Sequence, residues 1–130
     1  MRRRMPVTAA AATALVAGVL VLSACTSGGP PARFLEREPL TSCGAVTLAQ
    51  GEEVAAADWD CLETTPGGAE LVVTGPTIEG EPITTWHRKL ANGDSERYTD
   101  MTQDSFGGGW WYTFCPRSED DTAECRTEEL

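Results

Sequence analysis

Histidine is almost missing from this chain of 130 residues: His87 is the only one. A histidine-based triad would have to use it, and it sits beside Arg88 and Lys89, where a solvated imidazole is the simpler expectation. Basic residues are scarce as well, 10 Lys+Arg against 20 Asp+Glu, for a formal net charge of −10. Phosphate backbones are gripped by Lys and Arg, so nucleic acid is not expected as a partner. No G-x-S-x-G elbow occurs, and no glycine-rich loop ends in Lys-Ser/Thr. Neither an internal repeat nor a coiled-coil heptad is present. These gaps argue against serine-triad hydrolases and nucleotide-binding loops. A carboxylate-pair glycosidase stays open in form, though a domain of about 90 residues rarely builds its cleft, and neither catalysis nor a cofactor is expected.

What is present speaks first of location. Arg2, Arg3 and Arg4 precede a run from Met5 to Leu22 that is almost wholly Ala, Val, Leu and Thr. A positive start, an apolar stretch and small residues before a cut site form a secretory signal. The run also approaches the roughly 20 apolar residues of a transmembrane helix, which is the alternative reading. It ends in Leu22-Ser23-Ala24-Cys25, which resembles the lipobox of bacterial lipoproteins. That resemblance implies diacylglyceryl attachment to Cys25 and cleavage before it, leaving residues 1–24 as signal peptide. A plain signal peptide with an incidental cysteine is the competing reading. Two acyl chains give lasting attachment where one binds only marginally. The partner implied is therefore the outer face of the cytoplasmic membrane.

Loss of the three arginines would leave 7 basic and 20 acidic residues, a net of −13. Such a domain is repelled by anionic membrane over about one Debye length, roughly 8 Å. Residues 25–42 read as a lipidated tether. Thr26 to Pro31 has linker composition, and Arg33 to Pro39 is mixed enough to pack partly on the domain. Extended like polyproline II at about 3.1 Å per residue, residues 26–42 would reach on the order of 50 Å.

Four cysteines remain after Cys25: Cys43, Cys61, Cys115 and Cys125. An even number in an exported chain suggests two disulfides, and the short-loop pairing Cys43–Cys61 with Cys115–Cys125 is expected. Each would contribute about 2–4 kcal/mol in the chain-entropy account. A four-cysteine zinc site is the alternative, but no C-x2-C pair is present.

Residues 43–130 are expected to form an α+β domain, one helix packed on an antiparallel sheet of three to four strands. Ala45–Leu48 is a short strand, and Glu52-Glu53 open a helix carrying Val54, Ala57, Cys61 and Leu62 on one stripe. Pro66-Gly67-Gly68 stops it. Glu70–Thr74, Ile83–Leu90, Glu96–Met101 and Trp110–Cys115 read as strands, with Asn92-Gly93 as a type I′ hairpin turn.

Three features carry candidate chemistry. Glu79 and Glu81 flank Gly80 in a proline-bounded turn, either as a carboxylate pair or simply as solvated turn residues. Asp100 and Asp104 are weak calcium candidates, although Asp100–Asp104 lacks the ligand pattern of an EF-hand loop. Asp104 capping its own loop is the plainer use. Trp110, Tyr112 and Phe114 share one strand face and Trp111 the other, so Trp111 could stand exposed beside Trp86 to meet a sugar or a protein.

The segments Thr77-Ile78-Glu79-Gly80-Glu81-Pro82-Ile83 and Asp100-Met101-Thr102-Gln103-Asp104-Ser105-Phe106-Gly107 resemble a family of small Gram-positive lipoproteins. Its members carry T-[IV]-E-G-D-P-I, then D-x-[TS]-x-D-x-[FY]-G, then two late cysteines. Here Glu81 stands where the pattern usually has aspartate. The family is one of unknown function, so the resemblance implies exported α+β architecture and no activity. The expected function is a non-catalytic binding or accessory module for an envelope protein, using Glu79, Glu81, Trp86 and Trp111. A wall-glycan binder, an enzyme inhibitor and a calcium-dependent module are the alternatives.

Overall fold

The computed structural model describes residues 29–118 and 124–130. The expected signal peptide and Cys25 lie outside the described residues. In chain order the elements are α1 (Ala32–Leu35), β1 (Thr41–Thr47), α2 (Ala56–Thr64), β2 (Gly68–Pro76), β3 (Pro82–Leu90), β4 (Ser95–Asp100), β5 (Trp110–Cys115) and β6 (Arg126–Glu129). The strands form one six-stranded sheet in the order β1-β2-β3-β4-β5-β6. All neighbours are antiparallel except β1 and β2, which run parallel. The α+β reading holds, with two short helices rather than one and more strands than expected.

The two extra features have physical causes. A parallel neighbour needs a crossover, and α2 supplies it between β1 and β2. β6 reads Arg-Thr-Glu-Glu and is exposed throughout, so no apolar alternation announced it. It pairs with β5 from Trp111↔Glu129 to Phe114↔Arg126. The disulfide Cys115–Cys125 joins the ends of these strands, and Cys43–Cys61 ties β1 to α2. Both pairings are those expected.

Two local expectations change. The helix begins at Ala56 rather than at Glu52-Glu53, and the Glu52 carboxylate instead accepts the Ala49 N–H at 2.7 Å. The Asn92-Gly93 hairpin is not a two-residue I′ turn. Gly93 N–H donates to Leu90 O and Leu90 N–H to Asp94 O, both at 2.9 Å, closing a three-residue loop. Gly93 sits at φ 92°, as a turn followed by a bulge glycine requires.

Each face of the sheet has its own cover. On one, Leu62 of α2 packs with Ala69 and Leu71, joined by Cys43, Val46, Val54 and Val73. The other carries the aromatic stripe, and its cover comes from the segment expected as tether. Phe34, only 7% exposed, packs among Trp86, Tyr98, Trp110, Tyr112 and Phe114. Its ring centroid lies 4.6 Å from those of Trp86 and Trp110 and 5.5 Å from that of Tyr98. Aromatic pairs contribute about 0.5–1.5 kcal/mol beyond their buried area. Trp110, Tyr112 and Phe114 do share a face, as expected, but they meet Phe34 and not the main helix.

Charged groups fasten the segment from Arg33 to Leu40 to this face as a strap. Arg37 donates from Nε and Nη2 to the Glu70 carboxylate at 3.0 and 3.2 Å, and its guanidinium lies 3.8 Å from the Phe34 ring centre. Arg88, 3% exposed, lies between Glu70 and Glu96 and donates to the Glu38 carbonyl. Glu96 also accepts the Tyr112 hydroxyl at 2.8 Å. Arg33 pairs with Glu128 and stacks 3.6 Å above the Tyr112 ring. Burial and the Glu96 hydrogen bond push the Tyr112 hydroxyl up to about 12. Among the described residues no helix is long and apolar enough to cross a membrane.

Candidate functional site

Consecutive antiparallel strands alternate direction, so the β2–β3 turn and the β4–β5 loop emerge at the same end of the sheet. The turn is closed by Thr77 N–H to Glu81 O at 2.8 Å and Gly80 N–H to Thr77 O at 3.0 Å. Thr77 Oγ1 accepts the Glu81 N–H at 3.1 Å. The loop is pinned at its base by Met101 N–H to Gly109 O at 2.8 Å.

Glu81 joins the two. Its carboxylate crosses to Ser105, accepting the backbone N–H at 3.0 Å and the side-chain hydroxyl. Those two bonds, the hydroxyl's first, hold the Glu81 carboxyl below its ordinary range. The two segments that carried the family resemblance therefore touch. Glutamate, one methylene longer than the aspartate of that pattern, still makes a two-oxygen grip on Ser105. Glu79, in contrast, stays exposed at the tip.

The acidic loop turns inward on its own backbone. Asp100 Oδ1 accepts from Thr102 N–H at 2.9 Å and Thr102 Oγ1 at 2.7 Å. Asp104 Oδ1 accepts from Phe106 N–H at 2.9 Å, the loop-capping use expected of it. Among the described residues no cluster of three His, Cys, Asp or Glu side chains is placed to hold a metal.

Beside exposed Glu79, this end offers two large apolar side chains outward. Ile78 is 88% exposed and Phe106 81%, one on each of the clamped loops. A groove of about 300 Å³ runs beside Ile78, between Leu48–Glu52 and Gly75–Thr77. Neither Ile78 nor Phe106 was singled out from sequence. The signal was available, because a Gly/Pro turn ordinarily carries polar residues at its tip and an isoleucine there is out of pattern.

The tryptophans lie elsewhere. Trp86 belongs to the aromatic cluster, stacked on Trp110 at 5.4 Å between ring centres. Trp111 is half-buried on the opposite face of the sheet, across from Thr99 and Glu129, so the two do not form a side-by-side pair. His87 packs edge-on against Trp59 of α2, with ring centres 5.0 Å apart. Burial, and then the positive charge of Arg97, lower its pKa. A second groove, of about 430 Å³, lies between Arg33, Tyr112, Phe114 and Arg126.

No protein-family model, curated protein or solved structure matches this chain.

Proposed function

We propose that this is an exported, lipid-anchored module of the cell envelope that binds a protein partner and catalyses nothing. The contact surface is the clamped loop end. The observation that carries this reading is the pair of large apolar side chains, Ile78 and Phe106, held outward on two loops joined by the Glu81–Ser105 bonds. Scattered exposed apolar residues are ordinary, but two on neighbouring tethered tips beside a groove supply preorganised contact area. The lipobox-like Leu22–Cys25 segment supports the location. The two disulfides suit an oxidising compartment. Withdrawal of Trp86 into the aromatic cluster favours a protein partner over a sugar stacked on two tryptophans.

Cross-linking on intact cells tests it. The wild-type chain should return the same envelope protein repeatedly. The double variant Ile78→Asp, Phe106→Asp should lose that product while melting as the wild type does. Equal recovery from both would sink the proposal.

A further inference from the structure

The strap decides how far the domain can stand from its anchor. Pro31 opens α1, its carbonyl accepting the Phe34 and Leu35 N–H groups at 3.0 and 3.1 Å, and α1 is held to the sheet by the buried Phe34. Counting from Cys25, six residues bring the chain to that fixed point. At about 3.3–3.6 Å per residue they span no more than roughly 20 Å. The leash is thus less than half the reach of a free 26–42 segment.

The strap also has a direction. Arg33 meets Tyr112 and Glu128, and Phe34 meets Trp110, the residue that directly follows the β4–β5 loop. Arg37 then meets Glu70, and Leu40 lies over Gly68 at the far end of the sheet. The chain therefore joins the sheet at mid-length, in the row of Trp86, Tyr98 and Tyr112, and travels away from Ile78 and Phe106. A lipid on Cys25 would hold the domain within about 20 Å of the membrane, near enough for the loop end to meet it.

Charge chooses between the bilayer and a protein there. Segments 48–53, 77–82 and 101–109 contain no Lys or Arg, while Glu79, Glu81 and Asp104 lie among them. Anionic lipid repels such an end, whereas a basic rim around an apolar pocket complements it. We infer that the partner is a protein embedded in the same membrane, contacted at its outer face by Ile78 and Phe106. This rests on the lipid-anchored binding reading above.

The test uses the full chain in cells, with a photo-reactive residue replacing Phe106 and a control chain carrying it at exposed Leu35. A second pair of chains carries about twenty Gly/Ser residues inserted between Gly29 and Pro30, which raises the root-mean-square leash from roughly 13 to roughly 28 Å. The expected result is an adduct with an integral membrane protein from position 106, absent from position 35, with a yield reduced about twofold by the insertion. Adducts with lipid alone, with wall polymer or with a protein outside the membrane would overturn the inference, as would a yield indifferent to leash length. An adduct with a non-membrane envelope protein would leave the binding reading intact. No adduct at position 106 would end both.

Discussion

Replacing Phe34 with alanine separates a strap from a tether. The ring is 7% exposed, touches Trp86, Tyr98 and Trp110, and lies under the Arg37 guanidinium. Truncating a buried phenylalanine costs about 3–5 kcal/mol through lost transfer energy and the cavity left behind. Small domains have only about 5–15 kcal/mol in total. With a urea slope near 2 kcal/mol per M, the unfolding midpoint should fall by roughly 2 M. The assay is equilibrium urea unfolding of the oxidised chain, followed by tryptophan fluorescence. Leu35→Ala, at a site 65% exposed, serves as the neighbour control and should move stability by less than about 0.5 kcal/mol. If the two variants unfold at the same urea concentration, Phe34 is not part of the core and the short leash is wrong.

Three further outcomes follow from the same contacts. Arg88→Met leaves the partly buried Glu70 and Glu96 without their shared cation, though Arg37 and the Tyr112 hydroxyl remain, and should cost about 2–3 kcal/mol in the same unfolding assay. The lowered pKa of His87 means that the folded chain binds fewer protons than the unfolded one. Its contribution to stability is then complete above the unfolded value near 6.5 and is lost progressively as pH falls from there through the lower folded value. Arg97 on β4, Trp59 on α2 and the nearby Glu63 and Lys89 form its surroundings, and His87→Phe should flatten the stability profile as pH falls below about 7. Ser105→Ala should speed amide exchange in the Met101–Gly109 loop while changing global stability by less than about 1 kcal/mol; unchanged exchange would mean the clamp does not order the loop.

How much of this was legible in the residues varied with the kind of signal. The strand runs Glu70–Thr74, Ile83–Leu90 and Trp110–Cys115 announced themselves through β-branched and aromatic content, and the structure extends or keeps them. Both disulfides followed from short spacing in a chain with few alternatives. β6 was hidden because an edge strand pairing on one side only needs no apolar pattern, and Arg-Thr-Glu-Glu has none. The strap was legible in part, since the mixed composition of Arg33–Pro39 let it pack on the domain, but its partners were not. Arg33 and Arg37 look like solvated linker residues until Glu128, Glu70 and Phe34 are seen beside them. Glu81 was recognisable as part of a distinctive turn, but its partner Ser105 is 24 residues away and no local pattern links them. Ile78 and Phe106 stand inside the motifs, but their exposure is set by the clamped loops and, apart from the isoleucine's place in a polar turn, no local pattern shows it.

Every functional statement depends on the chain being exported, held by lipid and closed by oxidised cysteines. Intact-mass analysis of the protein purified from its native membrane addresses that most directly. The account predicts a chain that starts at Cys25, carries a diacylglyceryl group on that sulfur and has no free thiol among Cys43, Cys61, Cys115 and Cys125. A chain that still begins at Met1, or one whose four cysteines all react with an alkylating agent without prior reduction, would contradict it.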